Sequence, residues 1–410
     1  MGPSDQPFYV PTARIGNADR LIRVVTGSAA LVLVTANTVI PDNDLSHRLS
    51  QSTVLIIVLG LALSGLMWLR SQVAGDQLNM LARGWLLIAE NQWIPYGLPT
   101  SAGGKAPGGL TSILTGLPLM VWAHHRTPTV IILALNLVAY LLLDRMLSRE
   151  MGPVARLLFA IFYWLSPWRL YHASFLWNAN YLLPLGALHF WTVYRQKDHA
   201  RFWESLLQVL VIGLAAQVHA SAVVLVLLSL LLWWRGYFHF HWPGVAVATL
   251  TVGVSLIPWA QAVLQDPSLL PHGTPRNGRI AQTLLSSVRG LGYWLRYPAM
   301  ITSSTILCLD FRGLPATLAG DPVRQIIQVA VGLVTVPVVI WSNIHLWSNA
   351  GGWWRRSSRA ADFRPWIQGA TRWTFIGVLL ACILTPTAVM SWQLLAVLHL
   401  AVMPLVLTAI

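Results

Sequence analysis

Charge is what this sequence has least of. Of its 410 residues only 10% are charged, against about a quarter in a soluble globular domain. A water-facing surface cannot be built from so few ions, so an ordinary soluble body is excluded. Acids are scarcer still, 14 Asp and Glu against 27 Lys and Arg, which confines any carboxylate chemistry to a handful of positions. Cysteine is nearly absent: Cys308 and Cys382 stand far apart without metal-ligand spacing, which argues against a disulfide framework or a zinc site. A cleavable leader is not expected either, because the first apolar run starts near residue 21, carries Arg23 and lacks a small-residue cleavage pattern.

What the chain has is apolar length. Hydrophobic residues make up 55% of it, and runs suited to spanning helices occur at 21–40, 52–70, 128–147, 175–194, 244–264, 326–347, 373–390 and 392–410. Shorter or interrupted candidates lie at 109–123, 154–172 and 205–234. A span needs about 20 apolar residues, and these runs are rich in Leu and Val without sustained alternation, so closed helices rather than a β-barrel satisfy the backbone in hydrocarbon. The expected fold class is all-α, a polytopic transmembrane bundle of roughly ten to twelve spans.

The 21 Trp fit that solvent, because indole pairs an apolar face with an N–H suited to the headgroup level. Trp68, Trp164, Trp168, Trp233, Trp234, Trp242, Trp347, Trp353 and Trp354 fall near run ends and read as belt anchors. The net charge of +13 lies between the runs, which points to anionic headgroups or a phosphate-bearing lipid rather than nucleic acid.

The chain divides into a polar tail at 1–20, an extra hydrophobic segment and turn at 21–51, and a main membrane domain at 52–410 with two long non-apolar stretches, 71–108 and 265–325. Loops of that length in a membrane bundle are usually functional. Within the first, Leu78, Leu81, Trp85, Leu86 and Ile88 form a helical stripe over 77–89, as in a helix lying flat on the membrane. The Arg-rich segment 348–372, with Asp362 its one acid, suggests a cytoplasmic loop.

Elimination among the acids leaves Asp76, Glu90, Asp266, Asp310 and Asp321 as loop candidates; Asp144, Glu150, Asp198 and Glu204 lie beside Arg or Lys and read as surface pairs. Asp76 follows Gly75 directly after a run and opens the interfacial helix. It suits a general base at the headgroup level, or a helix N-cap. Phosphate-binding cations would be Arg296, Arg289 and Lys105, since guanidinium meets phosphate oxygens as a fork; headgroup anchoring is the alternative. Tyr96, Gln217, His219 and Asn178 could line an acceptor cavity, although an interhelical hydrogen bond is the simpler role for His219. His124 and His125 are adjacent, so their side chains point about 100° apart and suit an interfacial position better than a metal.

Two resemblances follow from particular stretches. "IGNADRLIRVVTGSAALVLV" resembles the opening of a small two-helix inner-membrane domain family. "GDQLNMLARGW", "WIPYG" at 93–97 and "GGKAPGGLTSILTGLPL" from 103, followed by "FYWLSPWRLYHASFLWNANYLLP" with Ser166 and Pro167, "LAAQVHASA" at 214–222 and the final "QLLAVLHLAVMPL", together resemble a GT-C glycosyltransferase. That class includes protein O-mannosyltransferases and lipid A aminoarabinose transferases. The resemblance implies a polyprenyl-phosphate sugar donor, a hydroxyl acceptor, an extracytoplasmic active site in a bacterial inner membrane, and Asp76 as the catalytic acid. The sequence indicates no cofactor; a divalent metal is possible but not indicated. Two departures stand beside it. Asn178 and Asn180 occupy a stretch where many members carry an acid, and a crossing at 21–40 would return Asp76 to the side of the N-terminal tail, where Arg14, Arg20 and Arg23 favour the inside. A transporter or flippase for a lipid-linked substrate, and a non-catalytic subunit of a membrane complex, remain the competing readings; no internal repeat of the transporter kind is visible.

Overall fold

The computed structural model describes residues 44–71, 73–100, 103–270, 279–301, 322–348, 362–385 and 389–410. The tail at 1–20, the run at 21–40, Cys308, Asp310, Asp321, Trp353, Trp354 and most of the Arg-rich segment lie outside the described residues. What is described is an all-α membrane protein. Six helices are long and apolar enough to cross a bilayer: Ser46–Arg70, Thr127–Glu150, Trp242–Gln265, Val329–Ser348, Phe363–Leu384 and Ser391–Thr408.

In chain order the elements are α1 (Asp44–Arg70), α2 (Asp76–Ala89), the strands β1 (Tyr96–Pro99) and β2 (Lys105–Pro107), α3 (Leu110–Val121) and α4 (Thr127–Glu150). Then come α5 (Gly152–Phe159) running into a π turn (Ala160–Trp164), α6 (Pro167–His172), a 3-10 turn (Asn178–Tyr181), α7 (Leu182–Arg195), α8 (Phe202–Val218) and α9 (Val223–Trp234). The last elements are α10 (Trp242–Gln265), α11 (Arg279–Arg296), α12 (Pro322–Ser348), α13 (Phe363–Leu384), a 3-10 stretch (Ser391–Val397), α14 (Leu398–Ala401) and α15 (Met403–Thr408). The two strands pair antiparallel, Tyr96 opposite Pro107 and Pro99 opposite Lys105.

The stretch 71–126 leaves the bundle and comes back to the same end. The Trp68 indole N–H donates to the Arg126 carbonyl at 3.0 Å, so the end of α1 and the start of α4 sit side by side. The candidate run 109–123 forms α3, an apolar helix of 12 residues that packs along α2. Gly84 of α2 faces Thr115 there, where a Cβ would come within 2.7 Å of the threonine methyl. The helix expected over 77–89 is present as α2, with Met80 and Gly84 buried and Leu78 outward.

Proline and arginine shape the middle of the chain. Pro167 cannot continue a helix, so the chain breaks at Ser166 and restarts as α6. Arg169 Nε donates 2.8 Å to the Trp164 carbonyl left over by the π turn, and Nη1 donates 2.7 Å to Ser64 Oγ of α1. The Trp164 indole in turn reaches the Ile57 carbonyl at 3.0 Å. It can do so only over Gly60, where a Cβ would lie 2.2 Å from the indole nitrogen. Trp164 and Trp168 are consequently core residues, 1% and 0% exposed, rather than belt anchors; Trp233, Trp234 and Trp242 are exposed at run ends as a belt requires.

Other expectations shift for identifiable reasons. The run 205–234 is two helices, broken at His219, and 175–194 becomes regular helix only from Leu182. The loop 265–325 contains the amphipathic helix α11. Asp144 lies inside α4 rather than in a surface loop, 6% exposed, and holds Arg156 at 2.7 Å. Desolvation at that site is offset by two aligned guanidinium bonds.

Candidate active site

At the end of the bundle where α1 stops and α4 begins, a cavity of about 390 Å³ opens. Its wall is assembled from the start of α2, the hairpin at Leu98–Thr100, the turn after α6, the break between α8 and α9, the end of α13 and residues 389–394. Most of that wall is apolar, with Leu98, Val224 and Leu227 among its members, and the polar groups are few: Asp76, Asn178, His219, Ser221 and Gln393 stand among them.

Asp76 is exposed at the first position of α2. The N-cap is Gly75, in the left-handed region at φ 53°, a conformation that glycine adopts without strain. No side chain caps the helix, so the N-cap role considered for Asp76 does not hold. Its Oδ2 instead accepts a 3.1 Å hydrogen bond from the Trp177 indole N–H, 101 residues away. Helix α2 still favours the negative charge, since an acid in the first turn faces the positive end of the macrodipole.

His219 ends α8 in extended conformation, φ −156° and ψ 134°. Its Nδ1 accepts from the Ser221 backbone N–H at 3.1 Å, so in the neutral ring the proton sits on Nε2. This bond is local to the break, and the interhelical bond expected of His219 belongs to its neighbour: Gln217 Nε2 donates 3.0 Å to Ser255 Oγ, joining α8 to α10. Asn178 donates through Nδ2 to the Val218 carbonyl at 3.0 Å, and Gln393 Oε1 accepts from the Met390 N–H at 2.8 Å. Asn180 lies behind the wall, its Oδ1 2.8 Å from His172 Nδ1 and its Nδ2 2.8 Å from the Phe175 carbonyl.

Of the residues singled out in the sequence, Asp76, Asn178 and His219 thus meet at one cavity, whereas Tyr96, Gln217, Lys105, Arg289 and Arg296 are not among its described lining. The Tyr96 carbonyl is taken by Arg83 Nη1 at 2.6 Å, with the guanidinium 5.4 Å from the tyrosine ring. Burial lowers the Arg83 pKa, an effect the Tyr96 phenol partly opposes. Lys105 sits on β2 opposite Pro99. The Arg296 guanidinium lies 5.7 Å from the Trp168 ring and 5.9 Å from that of Tyr293, an arrangement that holds a cation by the ring faces. Among the described residues no Lys or Arg lines the cavity.

Trp177 and Trp392, both in the wall, were not anticipated as site residues. Their rings meet at 5.2 Å and 64°. The one signal available was that Trp177 precedes "NAN" inside an apolar run, a polar cluster that a simple span has no use for.

Other candidate groups lie elsewhere. In the turn before α4 His124 stacks on Trp122 at 4.8 Å, and His125 lies 4.3 Å from His124 with its ring tilted by 30°. His125 is pushed down to about 4 by burial first and then by His124 and Arg126. Among the described residues no three His, Cys, Asp or Glu gather as a metal site. No family model, no curated protein and no solved structure matches the chain.

Proposed function

We propose that the chain is a GT-C-type glycosyltransferase, moving a sugar from a polyprenyl phosphate to a hydroxyl acceptor on the extracytoplasmic side, with Asp76 as general base. The observation that carries the reading is elimination within the fold. Asp76 is the one acid among the cavity's described lining residues, while Asp144, Glu150, Asp198 and Glu204 are held by Arg156, Tyr194, Lys197 and Arg195. Asp266 caps the 3-10 turn that follows it and Asp362 caps α13, accepting from the Ser268 and Arg364 N–H groups, and Glu90 is exposed at the end of α2, outside the cavity lining.

The chemistry asks little more of the protein. A sugar on a lipid phosphate carries its leaving group already activated. The acceptor O–H proton passes to the Asp76 carboxylate as the acceptor oxygen bonds to the anomeric carbon. The bond from that carbon to the phosphate oxygen breaks, and its electron pair leaves on the phosphate. One displacement inverts the anomeric centre and needs one carboxylate, whereas retention needs a second, nucleophilic one. Asn178 and Asn180 cannot serve as that second group, and they have other work in holding the wall. Across the cavity, the Nε2–H of His219 and the amide of Gln393 are donors for sugar or acceptor oxygens. No cofactor enters this scheme.

In this reading the shorter helices α7, α8 and α9 cross the bilayer beside the six long ones. Asn178 meets Val218 at the cavity end of α7 and α8, and Arg195 meets Glu204 at the other end of the same pair. These two helices therefore lie antiparallel along their length.

The test is transfer by full-length protein in lipid nanodiscs, with a panel of tritiated polyprenyl-phosphate monosaccharides and a membrane extract as acceptor source. Asp76→Asn should preserve expression and assembly and lower transfer by about 10²–10⁴-fold, the range of general-base contributions. Undiminished transfer by that variant would reject Asp76 as the base.

A further inference from the structure

The cavity wall that faces Asp76 is a short turn held in place from several sides. Between α6 and α7 the chain runs irregularly from Ala173 to Trp177 and then through the 3-10 turn. Ser174 Oγ donates to the Tyr171 carbonyl at 2.7 Å. Asn180 spans the turn from inside, linking His172 to the Phe175 carbonyl. Because Asn180 Nδ2 is the donor to Phe175, its Oδ1 accepts from His172, which puts the imidazole proton on Nδ1. Asn178 ties the turn to the end of α8. The Trp177 ring is then flanked by His172 at 6.2 Å and 19°, by Phe175 at 6.1 Å and 18°, and by the Trp392 ring at 5.2 Å and 64°.

All of these contacts fix one group that points outward, the Trp177 indole N–H. It meets Asp76 Oδ2 at 3.1 Å, and no described residue bonds Oδ1. An exposed carboxylate on the first turn of a surface helix would otherwise rotate about two side-chain torsions. One bond from a rigid donor removes most of that freedom and leaves a single oxygen with its lone pairs free. Indole is suited to the task because it donates but has no acceptor nitrogen, so it cannot itself compete for the acceptor's proton.

We propose that Trp177 is a positioning residue for the Asp76 carboxylate: its indole N–H holds Oδ2, so that Oδ1 is the oxygen that takes the acceptor's proton. The inference rests on the reading of Asp76 as the base. It also assigns Asn178 and Asn180 a purpose of their own: they anchor the turn that carries the indole.

Two measurements test it. In full-length protein labelled with ¹⁵N-tryptophan and held in nanodiscs, the Trp177 indole resonance is assigned by its loss in Trp177→Phe. In Asp76→Ala that resonance should move upfield, toward an indole donating only to water; an unmoved resonance overturns the inference whatever the activity. The second measurement replaces Trp177 by benzothienylalanine, which keeps the ring's shape and stacking and puts sulfur where the N–H was. Transfer from the active member of the tritiated donor panel should then lose roughly ten- to a hundredfold in kcat, the size of a hydrogen bond to a charged group, with KM little changed. Unchanged kcat in this isostere would mean that Trp177 acts only through its ring, and the inference fails. The two readings fail separately. If Asp76→Asn still transfers sugar, the base assignment is lost even where the resonance moves. If Asp76→Asn is dead while the resonance and the isostere are silent, the base stands and Trp177 has no part in aiming it.

Discussion

Two apolar stretches of nearly equal hydropathy have opposite fates in this protein. The most apolar 18 residues of Trp242–Gln265 have a mean hydropathy of 1.6 and 6% of them are buried, whereas Ser391–Thr408 has 1.7 and 78% of its residues are buried. Average apolarity therefore says that a segment belongs in hydrocarbon and says nothing about whether lipid or protein covers it. The difference lies in close approach and in polar content. Residue Gly186 of α7 lets the 391–397 stretch press in so far that a Cβ there would sit 1.9 Å from the Ala396 carbonyl oxygen. The buried stretch also carries His399, 1% exposed with neither ring nitrogen hydrogen-bonded. The lipid-facing helix shows Leu250, Val254 and Leu264 outward.

That contrast can be broken by substitution. The largest effect is expected at Gly186: Gly186→Leu must push main chain against main chain, and should cost 3 kcal/mol or more, at about the upper end for overpacking, seen as failure to recover monodisperse protein from detergent. Next is Arg169→Met, which leaves the Trp164 carbonyl and Ser64 hydroxyl buried without their donor; a loss of about 1–3 kcal/mol is expected in thermal melts. At His399 the sign reverses. Replacing the imidazole with Leu removes two unpaired polar atoms, so the melting temperature should hold or rise, by the equivalent of about 1 kcal/mol; a fall would reveal a partner for the ring. Smallest of all, Leu250→Ala on the lipid face should change stability by no more than about 0.5 kcal/mol. A large loss there would mean that protein, not lipid, covers α10.

The same contrast explains which features could be read from residue order. Helix α2 was legible because its stripe of Leu78, Leu81, Trp85 and Ile88 is a property of neighbouring residues; the break at Ser166 and Pro167 is equally local, imposed by proline, although 154–172 read as a single candidate run. Asp76 emerged because acids are few. The break at His219 was not legible: it depends on a ring nitrogen accepting from Ser221, and nothing in "LAAQVHASA" fixes that geometry. Nor was the return of the chain at α3, which is set by a bond between Trp68 and Arg126, 58 residues apart. The partnership of Trp177 with Asp76 is longer in range still. The cations expected opposite the carboxylate were chosen for the match of guanidinium to phosphate oxygens, and that match did not foresee the aromatic faces that hold Arg296.

The Trp68–Arg126 bond makes the site-bearing excursion a closed loop fastened at its base. Its middle is held as well: Gly97 and Gly108 lie against Gln217 of α8, and Gly104 against the backbone of Leu269 and Leu270, so the two strands are tied to the helices beneath them rather than swinging free of them.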